Sequence, residues 1–227
     1  MPQVSVAQLF KDNADALKLA WISGPREPSP HLDSGEINQA SQGLIGHLNL
    51  VHPNWIQIFS RTEAAYFASL GERDQREALA RLDGSGLVCI ILSEQEKPPV
   101  TLAEFATSRN IPLLSSPLHS LQIIWVARTY LGRALAEFVT RHGVLLDVLG
   151  MGMLITGDSG VGKSELALEL ISRGSGLVAD DVVELYHIAP ETLEGRSPEL
   201  LKDFLEVRGL GMLNIRTIFG ETAVRTR

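Results

Sequence analysis

The stretch MLITGDSGVGKSELALEL, residues 153–170, decides how the second half of this chain is built. A short apolar run meets a turn punctuated by Gly157, Gly160 and Gly162. Lys163 and Ser164 follow, and an amphipathic run closes the stretch. Gly157, Gly162, Lys163 and Ser164 fit the spacing G-x-x-x-x-G-K-[ST] of a phosphate-binding loop. Phosphate oxygens must come close to main-chain N–H groups, and a Cβ would block some of the backbone conformations this needs. The helix that follows turns its free N–H groups and positive dipole end toward the anion. Lys163 brings a mobile positive charge, and Ser164 brings a hydroxyl suited to Mg²⁺. The candidate nucleotide-binding residues are therefore Gly157, Asp158, Ser159, Gly160, Val161, Gly162, Lys163 and Ser164, and the expected nucleotide is ATP. The motif leaves the reaction open, because ATPases, GTPases and kinases all use it.

Beyond the helix SELALELISRG, which should end near Gly174, the run GLVADD reads as a strand ending in Asp180 and Asp181. Carboxylates at the carboxyl edge of a parallel sheet lie near a bound phosphate. One could hold a metal-bound water and the other accept a proton. Neighbouring residues on a regular strand face opposite ways, so both reach the site only if the strand stops there. Ordinary P-loop NTPases carry the metal-associated acid on a separate strand, so an acid pair this close points away from generic GTPases. VVELYHI reads as a strand and PETLEGRSPEL as a polar loop. LEVRGLGMLNIR mixes strand and turn character. Its Glu206 could ligate a metal and its Arg208 bridge phosphate oxygens, but taken alone this stretch is more often a structural turn with an exposed ion pair. His142, in TRHGV, read alone is an ordinary surface or capping histidine.

Upstream, short apolar runs alternate with helical patterns. VSVAQLFKDNADALKL opens with a helix, and WISGPREPSP is a strand end entering a proline-rich loop. NWIQIFS alternates like a strand, and TEAAYFASL follows as a helix with Thr62 as its N-cap. GLVCIILS is a near-continuous apolar run, as a buried parallel strand requires. LAEFATSRN reads as helix and IPLLSS as strand. This alternation predicts an α/β fold with a parallel or mixed sheet. PLHSLQIIWVARTYLGRALAEF is the longest helical pattern and is expected to join two domains, 1–130 and 131–227, packing on both. GVLLDVLG and MGMLITG read as strands.

The chain has 227 residues, 44% of them hydrophobic and 21% charged, which suits a globular protein with a sizeable core. A net charge of −7 argues against a nucleic-acid binder. Cys89 is the single cysteine and sits in an apolar run, so it reads as a buried core residue in a reducing compartment. No secretory leader and no membrane-spanning run is visible, and a cytoplasmic protein is expected.

GDSGVGKSE, then ADD, then EVRGLGMLNI resembles the HPr kinase/phosphorylase family, in that order along the chain. GLIGHLNLVHPNWIQIFSRTEAAYF and the IPLLSSPL region resemble its N-terminal domain. The resemblance implies an N-terminal α/β domain concerned with oligomer contacts or regulation. It also implies a C-terminal P-loop domain related to PEP carboxykinase. The implied activity is ATP- or pyrophosphate-dependent phosphorylation of a serine of the phosphocarrier HPr, with removal by phosphorolysis that releases pyrophosphate, regulating carbon metabolism and sugar transport. The implied assembly is a homohexamer. Carried over by motif, Lys163 is catalytic, Asp181 exchanges the serine proton, Ser164 and Glu206 bind Mg²⁺, and His142 is an active-site histidine. Asp180 and Arg208 belong to the catalytic surroundings. Family members run on past the position of Arg227, so a further catalytic arginine and a phosphorolysis loop are expected beyond it. Two rival expectations stand beside this one: a small-molecule P-loop or PEP-carboxykinase-like enzyme, and a non-catalytic nucleotide-sensing module.

Overall fold

The computed structural model describes residues 2–40, 42–94, 97–189 and 191–227. The chain divides into two compact units, Met1–Leu135 and Ala136–Arg227. Both mix helices and strands.

The first unit opens with β1 (Gln3–Ser5), α1 (Val6–Leu17), β2 (Ala20–Ser23), β3 (His31–Asp33) and α2 (Ser34–Gln39). It continues through β4 (Gly43–His47), β5 (Asn54–Phe59), α3 (Arg61–Ser69), α4 (Glu72–Ala80), β6 (Cys89–Leu92), α5 (Val100–Ser108), β7 (Leu113–Ser115) and α6 (Ser120–Ala134). Its main sheet has the order β2-β7-β6-β5-β4. Strands β4 to β7 are parallel and β2 is an antiparallel edge. The sheet is covered on both faces, which explains the uninterrupted apolar run at its centre. Cys89 and Ile91 of β6 pack with Leu9 and Leu17 of α1 and Ile123, Ala127 and Leu131 of α6. Ile90 and Leu92 face the other way, toward Phe67 of α3, Leu79 of α4 and Leu102 of α5. The side-chain period of two thus sorts one strand into two cores.

Two local expectations change. Helix α3 is capped by Ser60 rather than Thr62, because Glu63 three residues on returns its carboxylate to the Ser60 N–H at 3.1 Å. Helix α6 belongs to the first unit, since its buried face supplies Ile123, Ala127 and Leu131 to that core.

The second unit contains β8 (Phe138–His142), β9 (Val144–Val148), β10 (Met151–Ile155), α7 (Lys163–Ser172), β11 (Gly176–Ala179), β12 (Val182–Ala189) and β13 (Thr192–Arg196). It ends with β14 (Phe204–Val207), β15 (Gly211–Asn214) and α8 (Ile215–Phe219). Its three sheets, β10-β9-β11, β13-β12-β8 and β14-β15, are antiparallel throughout. The segment expected as a polar loop contains β13, which pairs with β12; its first residue, Pro190, lies outside the described residues. Val144, Leu146, Ala167, Ile171, Leu177, Leu205 and Val207 make the larger core. Among the described residues no helix is long and apolar enough to cross a membrane.

Candidate active site

Three strand ends meet at one edge of the β10-β9-β11 sheet. Ile155 at the end of β10 lies opposite Val144, and Ala179 at the end of β11 opposite Leu145, both at the start of β9. A parallel pairing was expected for the strand that carries the acids. Instead β10 and β11 each run antiparallel to the strand between them. They therefore still point the same way, and the phosphate loop and the acid pair leave the sheet side by side.

The acid pair sits where two strands pass from one sheet into another. Strands β9 and β11 pair up to Leu145 and Ala179, while β8 and β12 pair from His142 and Val182. Gly143 on one side and Asp180–Asp181 on the other form the joint. Asp181 has a φ of 62°, a left-handed conformation that aspartate tolerates better than most residues. The break lets both adjacent carboxylates reach one pocket. Gly143 donates its N–H to the Asp181 carbonyl at 3.2 Å. A Cβ at Gly143 would lie 2.5 Å from the Ile155 carbonyl oxygen, so the joint is closed by a residue without a side chain.

His142 Nδ1 lies 3.1 Å from the Asp181 carbonyl oxygen. A carbonyl only accepts, so Nδ1 carries the hydrogen and Nε2 is left for other partners. The same Nδ1 is 3.5 Å from Asp181 Oδ1, with side chains 85% and 72% exposed, so solvent screens any attraction between them to little net worth.

In the phosphate loop Gly157, Gly160 and Gly162 have φ values of 152°, 79° and 100°. Helix α7 starts at Lys163, with Gly162 as its N-cap. Lys163 folds back so that Nζ donates to the carbonyls of Gly157 and Asp158, each at 3.0 Å. The ammonium group therefore lies across the mouth of its own loop.

Asp180 is buried, at 7% exposure, and its Oδ2 accepts the Glu206 backbone N–H at 2.8 Å. Burial is the largest influence on its carboxyl and holds the pKa above the ordinary carboxylate range, against the lowering effect of that hydrogen bond. The bond brings the β14-β15 hairpin to the acid edge. Leu205 and Val207 face inward and are buried, so Glu206 faces out. Arg208 follows in the turn and approaches the loop: a Cβ on Gly160 would sit 3.3 Å from its Nη1.

These groups surround a pocket of about 630 Å³. It brings together His142, Lys163, Ser164, Asp180, Asp181, Glu206 and Arg208 with Gly157, Ser159, Gly160 and Gly162. Asp158 and Val161 are absent from its walls; Val161 is exposed, and Asp158 contributes the carbonyl bonded to Lys163. Gly143 and Glu165 also line it, without having been singled out from the sequence. Glu165 directly follows the serine of the motif, so its place in the first helical turn was available as a signal. Gly143 had none, because its role is a close approach to the main chain at the end of the neighbouring strand β10.

Among the described residues no group of three or more His, Cys, Asp or Glu side chains forms a ready-made metal cage. The donors present, a serine hydroxyl and carboxylates beside a phosphate loop, suit Mg²⁺, which takes one or two protein oxygens and completes its shell with phosphate and water.

The family model "HPr Serine kinase N terminus" matches residues 4–131, and "HPr Serine kinase C-terminal domain" matches residues 133–227. Proteins named HPr kinase/phosphorylase are similar along the whole chain. That of Nitrosomonas europaea is 56% identical over 227 residues, covering 100% of this chain and 70% of the relative. That of Chromobacterium violaceum is 48% identical over 227 residues, covering 100% and 71%. That of Bordetella pertussis is 49% identical over 225 residues, covering 99% and 72%. The solved structure of the Hpr(Ser) kinase/phosphatase from Coxiella burnetii matches with 39% identity and a TM-score of 0.37, over 39% of this chain and 58% of that one. The order of motifs, the two matched domains and these identities lead to one conclusion: the chain belongs to the HPr kinase/phosphorylase family, the HPr serine kinases.

Proposed function

We propose that this chain transfers the terminal phosphoryl group of ATP, or of pyrophosphate, to a serine of HPr, and removes it by phosphorolysis. What supports the reading is that one pocket edge holds a phosphate loop, a lysine, an arginine and an exposed carboxylate with a histidine beside it. The second unit is read as a P-loop domain related to PEP carboxykinase. The N-terminal portion, 1–130, serves oligomer contacts or regulation in a cytoplasmic homohexamer, with 131–227 carrying the chemistry.

The loop amides and Lys163 bind the phosphates, and Arg208 adds a second positive charge across the pocket. Ser164 and Glu206 would hold Mg²⁺, which supplies charge neutralisation on the phosphates when bound. The serine Oγ attacks the terminal phosphorus in line, its proton passes to the Asp181 carboxylate, and ADP leaves. In reverse, an oxygen of inorganic phosphate attacks the phosphoserine phosphorus, the serine Oγ leaves with a proton from Asp181, and pyrophosphate is released. Asp181 suits this role better than Asp180, because its carboxylate is exposed to an incoming protein whereas that of Asp180 is buried and bonded.

Mass spectrometry of HPr after incubation with the protein and Mg-ATP tests the reading. The wild type adds one phosphate, and Asp181→Asn slows the transfer by ~10²–10⁴-fold while ATP binding persists. Wild-type rates in the Asn variant would remove the base assignment. ATP binding with no phosphate on HPr would remove the substrate.

A further inference from the structure

Two adjacent acids line the pocket, yet their side chains do different things. Asp181 is open to solvent. Asp180 is buried, with Oδ2 bonded to the Glu206 backbone N–H at 2.8 Å. Among the described residues strand β14 has only β15 beside it in its sheet. Glu206 lies opposite Met212 in that pair, and its N–H points away from β15, toward the acid edge. Such an outward amide normally bonds to a further strand or to water. Here the Asp180 carboxylate occupies the place of a neighbouring strand.

We infer that Asp180 is a positioning residue: by holding the Glu206 main chain it fixes the β14-β15 hairpin so that Glu206 and Arg208 face the phosphate loop. The inference rests on the proposed metal role of Glu206. The tether joins segments 26 residues apart, and Arg208 is carried two residues beyond the anchored amide, close to Gly160. Losing an outer partner that orients a metal ligand typically weakens metal affinity ~10–100-fold.

The test uses the full chain with a fluorescent ATP analogue titrated with Mg²⁺, alongside hydrogen exchange of residues 204–208. Asp180→Ala should raise the Mg²⁺ concentration needed for tight nucleotide binding by ~10–100-fold and speed exchange at the Glu206 amide. Asp180→Asn keeps an acceptor oxygen and should recover most of both. If Asn is as impaired as Ala, the carboxylate acts through its charge and the tether is overturned. Unchanged exchange at Glu206 in the Ala variant overturns it too. Wild-type binding that ignores Mg²⁺ would instead strike the metal assignment, and the exchange measurement would still decide the tether.

Discussion

The two units of this chain put their apolar surface to different use. The first fully buries two aromatic rings, Phe59 and Phe67, along with Ile56, Ile58, Ile90 and Ile91. The second leaves Met151, Met153, Leu166, Leu210 and Met212 exposed and has no helix longer than the 10 residues of α7 among those described. Its sheets are narrow, of two or three strands each, and at the joint between two of them Asp181 takes a left-handed conformation. A buried parallel sheet gains stability from the area it removes from water. A pocket that must receive phosphates and a protein needs strand ends, turns and N–H groups facing outward instead. The difference teaches that binding groups here are placed by backbone breaks, whereas the first unit is specified by side-chain packing.

Three substitutions probe that contrast. Phe67→Ala should cost ~3–5 kcal/mol, because this ring is 1% exposed and packs edge-on against Phe59 at 5.6 Å between centroids. Hydrogen exchange should show lost protection in β5 and β6, with α7 unaffected; equal loss in α7 would mean that the two units unfold as one. Lys163→Ala should slow phosphoryl transfer by ~10²–10³-fold, as removal of a single charge-stabilising donor does. Its thermal unfolding should match the wild type. A large drop in melting temperature would mean that the bonds from Nζ to the loop carbonyls are structural after all. Tyr130→Phe should cost only ~0.5–1.5 kcal/mol, the net worth of one hydrogen bond. Tyr130 donates to Asp12 at 2.7 Å, and Gln8 and then Tyr130 hold the Asp12 carboxyl below its ordinary range. A lowered carboxyl stabilises the fold above its unfolded-state pKa of ~3.9 and loses that contribution as pH falls through the folded value. The difference between Tyr130→Phe and wild type, measured by urea unfolding, should therefore shrink in acid. A constant difference from pH 7 to pH 2 would detach it from Asp12 ionisation.

Legibility followed the same division. In the first unit the apolar runs are two-faced or alternating, so β5, β6 and β7 stood out in the sequence and the mixed sheet followed. In the second, β13 carried no signal, because none of its residues is buried. Gly195 contributes by lacking a side chain: a Cβ there would lie 2.2 Å from Leu145 Cδ2. Strand direction was also invisible, since residue types fix the face of a strand and not its partner. The phosphate loop was readable because glycine, lysine and serine at fixed local spacing express one requirement. The bond from Asp180 to the Glu206 amide was not, because a main-chain donor looks the same at every position.

Lys163 carries one more implication. Its ammonium already holds two oxygens of the loop, at Gly157 and Asp158. An arriving nucleotide must win that cation away from ligands it already has, so measured affinity will understate the attraction between lysine and phosphate. In exchange, part of the cost of ordering the loop is met when the chain folds rather than when a guest binds: an internal cation rehearses the grip.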